Sequence, residues 1–194
     1  VNDTAGVTVT ESGGTTNVTE GGSTDSYTVV LTSQPTSTVE IIFSTSTLGV
    51  TLSTSTISFS SDNWNAAQTV TVSATNDSTD EPSPHTSTVT HAASSTNYGY
   101  TSALSISSVT ANITDNDAAG LTLSKDYTTS TEGGSTDSFT VLLNTQPTST
   151  VEILLTTSTG GISISTSTLT FDANNWNSAK TVTVTAIDDV IAQA

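Results

Sequence analysis

Residues 19–74 read TEGGSTDSYTVVLTSQPTSTVEIIFSTSTLGVTLSTSTISFSSDNWNAAQTVTVSA, and residues 131–186 read TEGGSTDSFTVLLNTQPTSTVEILLTTSTGGISISTSTLTFDANNWNSAKTVTVTA. At an offset of 112 the two stretches align without a gap, and 37 of their 56 positions are identical. Repetition at a fixed period marks a chain built from one structural unit used more than once. Within each copy the apolar residues fall on every second position. Tyr27, Val29 and Leu31 share one parity, as do Val39, Ile41 and Phe43, and Val70, Val72 and Ala74. A period of two places them on one face of a half-buried strand. No helical period competes with it.

At the start of the chain, Asn2-Asp3-Thr4-Ala5-Gly6 resembles Asn116-Asp117-Ala118-Ala119-Gly120 at an offset of 114. The expected organisation is therefore residues 1–3 as the tail of a preceding repeat, 4–117 as a complete repeat, and 118–194 as an incomplete second one. Strands are expected near 6–11, 15–19, 26–33, 38–45, 49–52, 56–60, 68–75, 86–92 and 103–113. In the last of these Leu104 and Ile106 differ in parity from Val109, Ala111 and Ile113, so a bulge at Ser107-Ser108 is expected. Gly21-Gly22, Gln34-Pro35 and Glu81-Pro82-Ser83-Pro84 mark turns. The fold class is all-β: tandem Ig-like antiparallel β-sandwich repeats arranged end to end. The incomplete repeat leaves sheet edges that either a further part of the chain or a neighbouring subunit, by strand addition, would cover.

Composition narrows the function. Thr and Ser number 45 and 32 of 194 residues, and charged residues make up only 10%. Eighteen acids face two bases, for a formal charge of −16. That balance excludes a phosphate-binding, nucleic-acid-directed surface and disfavours anionic membranes. No apolar run approaches the roughly 20 residues of a spanning helix. With no Cys, no disulfide staples the sandwich.

The acids cluster in the strand order. If strands alternate in direction, Glu20 in the first turn, Asp77, Asp80 and Glu81 in the turn after residue 75, and Asp115 and Asp117 after the last strand share one pole. The complete repeat has no Lys or Arg to neutralise them. A hard divalent cation does so, and Ca2+ accepts six to eight oxygens in flexible geometry. The competing reading is of solvated turn residues. For Asp25, near the same pole, a ligand role and a turn role stand equal. Asp62, at the opposite pole, reads as structural. The proposed site lies where one repeat runs into the next.

Several motifs together carry a family resemblance: Glu20 near the repeat start, Asn63-Trp64-Asn65 followed by Thr69-Val70-Thr71-Val72, then His85-Thr86, His91, Asn97-Tyr98 and Ile113-Thr114-Asp115-Asn116-Asp117. Their order resembles the Calx-beta domain and its relatives in large bacterial surface proteins and adhesins. The resemblance implies Ca2+ bound by Glu20, Asp77, Asp80, Glu81, Asp115 and Asp117. In the second repeat it implies Glu132, Asp188 and Asp189. Asn116 interrupts a closing run that is more densely acidic in the calcium-sensing members.

Other candidates carry less. Trp64 and Trp176 read as plugs at the end of a sandwich rather than sugar platforms. Tyr98 and Tyr100 are expected to pack at that same end. His85 and His91 lack a third nitrogen or sulfur ligand nearby, and no metal role is assigned to them. No nucleophile elbow or acid pair in a cleft is present, so no enzyme is expected. Asn2, Asn17, Asn76 and Asn112 begin Asn-x-Ser/Thr triplets, which arise by chance in Thr-rich sequence. Runs such as Thr45-Ser46-Thr47 follow from β propensity alone. The expected function is a structural spacer of an extracellular bacterial surface protein, rigidified by Ca2+, with neighbouring repeats or identical subunits as partners. The alternative is a carbohydrate- or protein-binding adhesive sandwich.

Overall fold

A computed structural model describes residues 3–46, 49–158 and 160–189. Val1 and Asn2 of the expected preceding tail, the triplet begun by Asn2, Thr47, and residues 190–194 of the expected second repeat lie outside the described residues. The chain divides into two compact units, Val1–Asp77 with Glu81–Asn116 and Ser78–Asp80 with Asp117–Ala194.

Among the described residues of unit 1 the alternating segments become nine strands: β1 (Val7–Glu11), β2 (Thr16–Thr19), β3 (Asp25–Leu31), β4 (Val39–Thr45), β5 (Val50–Leu52), β6 (Thr56–Phe59), β7 (Gln68–Ala74), β8 (His85–Ser94) and β9 (Val109–Thr114). They form two sheets, ordered β1-β3-β7-β5 and β2-β9-β8-β4-β6. Every pairing is antiparallel except β2 with β9, which is parallel. The first edge segment therefore changes sheets, pairing first with β3 and then with β9. It turns at Ser12–Gly14, where Gly13 and Gly14 take φ of 68° and 85°, a region glycine enters without a Cβ penalty. Asp25 braces this crossing: its carboxylate accepts Ser12 Oγ at 2.5 Å and Asn17 N at 2.9 Å. Those bonds hold the Asp25 carboxyl below the ordinary aspartate range.

The inward residues of both sheets meet in one core. Val18, Tyr27, Val29, Val39, Ile41, Phe59, Val70, Val72, Val89, Ala111 and Ile113 are all essentially inaccessible. Each large apolar side chain so buried contributes about 1.5–3 kcal/mol. Trp64 and Trp176 pack against the cores of their respective units. At the end of the unit 1 core, buried Tyr100 donates its hydroxyl to Ser33 O at 2.8 Å. Tyr98, expected to pack there too, is 99% exposed. Asn97 anchors the loop through Thr36 N at 3.1 Å, and Gly99 at φ 95° turns the chain so that only Tyr100 points inward.

The expected strand over 103–113 also differs. β9 begins at Val109, and Leu104 N closes a turn on Thr101 O. Leu104 and Ile106 reach the core from this loop. Their parity differs because they precede the strand, not because the strand is bulged.

Unit 2 repeats part of the plan with β10 (Leu121–Leu123), β11 (Asp137–Leu143), β12 (Val151–Leu154), β13 (Ile162–Ile164), β14 (Thr168–Phe171) and β15 (Lys180–Ala186). One sheet is ordered β10-β11-β15-β13, and β12 pairs with β14. Its core is smaller: Val141, Leu143, Leu169, Phe171 and Val182. Lys125 and Asp137 form an ion pair. Hydrogen bonds from Lys125, Thr129 N and Ser138 N hold Asp137 at about 2. Among the described residues, no helix is long and apolar enough to cross a membrane.

Candidate metal centre

Strand register assembles the acidic pole of unit 1. β2 runs parallel to β9 with Thr19 opposite Thr114, so the residues that follow them, Glu20 and Asp115, leave the sheet side by side. Glu20 N donates to Thr114 O at 3.0 Å. β8 opens at His85, which lies opposite Ile113 on the other side of β9. The segment between β7 and β8 therefore passes over the same end. Its Glu81 N donates to Asp115 Oδ2 at 2.9 Å. Asn116 Nδ2 donates to Glu20 O at 2.8 Å and to Asn76 Oδ1 at 2.7 Å, tying all three segments together.

The Glu20 carboxylate is the anomaly of this pole. Glu20 is only 2% exposed, whereas Asp77 is exposed and Glu81, His85 and Asp115 are half-buried. Asp77 N–H hydrogen-bonds the carboxylate. Its Oε2 is buried with no hydrogen-bond partner. Burial raises the Glu20 pKa above the ordinary glutamate range, and the charges of Asp77, Asp115 and Glu81 raise it further. A buried carboxylate oxygen without a donor is costly and calls for one.

Glu20, Glu81 and His85 each offer a ligand atom, all within 4.8 Å of one another. His85 Nε2 stands 3.3 Å from Glu81 Oε2. An open recess of roughly 460 Å³ lies here, lined by Glu20, Thr75, Asp77, Glu81, His85 and Thr86. This donor set fits a divalent cation, because carboxylates converge in a unit that contains no Lys or Arg.

Of the residues expected from sequence, the structure thus brings Glu20, Asp77, Glu81 and Asp115 together. Asp80 groups with unit 2, where it lines a cavity with Leu143 and Pro147, and Asp117 opens the main segment of unit 2. Asp25 is a strut of the crossing described above. In unit 2, Glu132, Asp188 and Asp189 are all exposed, with the Asp188 carboxylate beside Gly133. His85 was missed. The signal available was its place four residues after Glu81, at the mouth of the acidic turn.

His91 is a different case. Its Nδ1 donates to Ser107 O at 2.6 Å and its Nε2 accepts from Tyr27 Oη at 3.1 Å. Its ring stacks edge-on with Tyr27 and Phe43. Desolvation lowers its pKa, so it sits as a neutral packing residue.

No family model matches the chain. No curated protein matches it either. Solved structures similar to it include the D0-D1 domain of intimin, at 19% identity over 94% of this chain and 91% of that one, with a TM-score of 0.34. CBD12 from CALX1.2 is 14% identical over 95% and 76%, with a TM-score of 0.40. The E. coli chaperone DraB is 8% identical over 97% and 88%, with a TM-score of 0.39.

Proposed function

We propose that the chain is a non-catalytic spacer segment of an extracellular bacterial surface protein, in which a Ca2+ ion stiffens the acidic pole of the sandwich. One observation carries the reading: the buried, donorless Oε2 of Glu20 amid the charges of Asp77, Glu81 and Asp115. Glu20, Asp77, Glu81 and Asp115 would hold the ion, with Asp80 and Asp117 as further ligands expected from sequence. Bound Ca2+ supplies the positive charge that unit 1 lacks. The residues themselves do the mechanical work. Asn116 clamps the Glu20 and Asn76 segments, and Asp115 receives the turn through Glu81 N. Neutralising the carboxylates removes the repulsion that would otherwise open this clamp.

The internal repetition supports a spacer, since near-identical sandwiches in series extend a surface protein without adding a new site. The resemblance to Calx-beta repeats agrees with both ion and setting. A calcium titration of the 194-residue chain, followed by calorimetry and scattering, tests it. Ca2+ should raise the melting temperature and EDTA should lower it. Melting and scattering curves indifferent to both would remove the proposal.

A further inference from the structure

We infer that the same pole carries a second, nitrogen-containing subsite, in which Glu20, Glu81 and Nε2 of His85 take a borderline divalent cation of the Zn2+ class. This rests on the reading of the pole as a cation site, and it adds an ion of different chemistry.

The His85 ring is oriented by a backbone carbonyl. Nδ1 lies 3.2 Å from Pro82 O. A carbonyl only accepts, so Nδ1 carries the hydrogen. That turns Nε2 toward Glu81 Oε2, 3.3 Å away. Beside them Glu20 Oε2 is buried without a hydrogen-bond partner. One cation at this point would serve all three groups, whose ligand atoms already stand within 4.8 Å of one another.

Donor chemistry selects the class. Ca2+ and Mg2+ are hard and take oxygen. Imidazole and carboxylate together suit Zn2+, bound at roughly 2.0–2.2 Å. Two donors on one tetrahedral ion at about 2.1 Å stand about 3.4 Å apart, close to the separation seen between His85 and Glu81. The surroundings agree as well. A ligating histidine characteristically gives its other ring N–H to a carbonyl or carboxylate, which fixes the tautomer and aims the free nitrogen. Pro82 O occupies that place here. His85 begins β8 and is held in register against Ile113, so its backbone is fixed. The recess leaves room for water to complete the shell. Asp77 and Asp115 remain with the oxygen-only position for Ca2+, and Glu20 and Glu81 serve both.

The test uses the EDTA-treated 194-residue chain. It has two histidines, so the imidazole nitrogen NMR spectrum contains two ring systems. Zn2+ should shift the His85 Nε2 resonance and leave His91, committed to Ser107 and Tyr27, in place. In His85→Ala, Zn2+ affinity by calorimetry should fall at least tenfold while the Ca2+-induced rise in melting temperature persists. Two unmoved rings at millimolar Zn2+, or His85→Ala binding Zn2+ as tightly as the parent, would overturn the subsite and leave the calcium reading intact. A His85 shift with Zn2+ in a chain that ignores Ca2+ would do the reverse.

Discussion

Replacing Glu20 by Gln should reverse sign with calcium. Gln keeps the shape of the side chain and its ability to accept the Asp77 N–H, and it removes one charge. Donor atoms of Glu20 and Glu81 come within 4.8 Å. At that separation two unit charges repel by roughly 3.5 kcal/mol at an effective dielectric of 20 and by roughly 1 kcal/mol at 80. The Glu81 side chain is 37% exposed, which places this pair toward the lower figure. Asp77, Asp115 and the desolvation of Glu20 add to the relief. In the absence of divalent cations E20Q should therefore be more stable than the parent by about 1–3 kcal/mol, or roughly 3–10 °C for a domain of this size.

Calcium then inverts the order. At a hundredfold excess over the dissociation constant, a ligand that binds only the folded state stabilises it by about 2.7 kcal/mol. The parent should gain this and E20Q should gain little. Scanning calorimetry in EDTA and in millimolar Ca2+ reads all four states. Because the two units can melt separately, Trp64 fluorescence in a Trp176→Phe background isolates unit 1. An E20Q protein that melts below the parent in EDTA would refute the account of Glu20 as an unsatisfied charge. A calcium response equal to the parent's would refute its role as a ligand.

The pH dependence follows from the same group. Because its folded pKa is raised, the folded state holds the Glu20 proton more tightly, so cation-free stability falls as pH rises from the ordinary glutamate value of about 4.3 through the raised one. The stability advantage of E20Q over the parent in EDTA should thus grow between pH 4 and 7, and denaturant titrations at several pH values measure it. Gly21→Ala should cost about 1–3 kcal/mol and weaken calcium binding, since φ is +58° and a Cβ would stand 2.7 Å from Asn76 Oδ1, which Asn116 uses. Tyr27→Phe should cost about 1–2 kcal/mol in a urea melt by leaving His91 Nε2 without its donor, although Phe139 is the natural residue at the matching place in unit 2. Glu132→Gln should change the melting of unit 2 by less than about 0.5 kcal/mol with or without EDTA, the range of ordinary surface substitutions.

Much of this fold is legible in sequence because its core obeys strict alternation. Tyr27, Val29 and Leu31, or Val39, Ile41 and Phe43, cannot be placed on a helix face, and their strands lie within a residue or two of expectation. The exchange of one edge segment between two sheets was not legible. It depends on Gly13 and Gly14 taking positive φ and on Asp25 reaching back to Ser12 and Asn17. Leu104 and Ile106 misled because a loop that buries two apolar residues mimics a strand of shifted parity. At the pole, strand direction sufficed to bring Glu20, Asp77, Glu81 and Asp115 together. Which of them would be buried was not legible, nor was the turn at Pro82 that orients His85.

The two copies of one turn show why. Residues 19–26 and 131–138 are the same eight residues, and they fold alike. Gly21 and Gly133 share φ of 58°, and the bonds from Thr19 N to Ser23 O and from Thr131 N to Ser135 O are both 3.0 Å. Yet Glu20 is 2% exposed and Glu132 is open to solvent. Identical local sequence and identical local geometry therefore do not fix how deeply the carboxylate is buried. Thr114 O on Glu20 N, and Asn116 on Glu20 O, hold the backbone of the first glutamate, and both come from β9 and the residues just after it. Among the described residues of unit 2, 128–131, the counterpart of β2, form no strand, and the β12–β14 sheet has two strands where its unit 1 counterpart has five. In unit 1, where β2 pairs with β9 and Asn116 holds the Glu20 backbone, burial raises the pKa of an otherwise ordinary turn glutamate. On the calcium proposal, the affinity of this pole should therefore follow how deeply the surrounding strands bury Glu20, and not only which acids the turns carry.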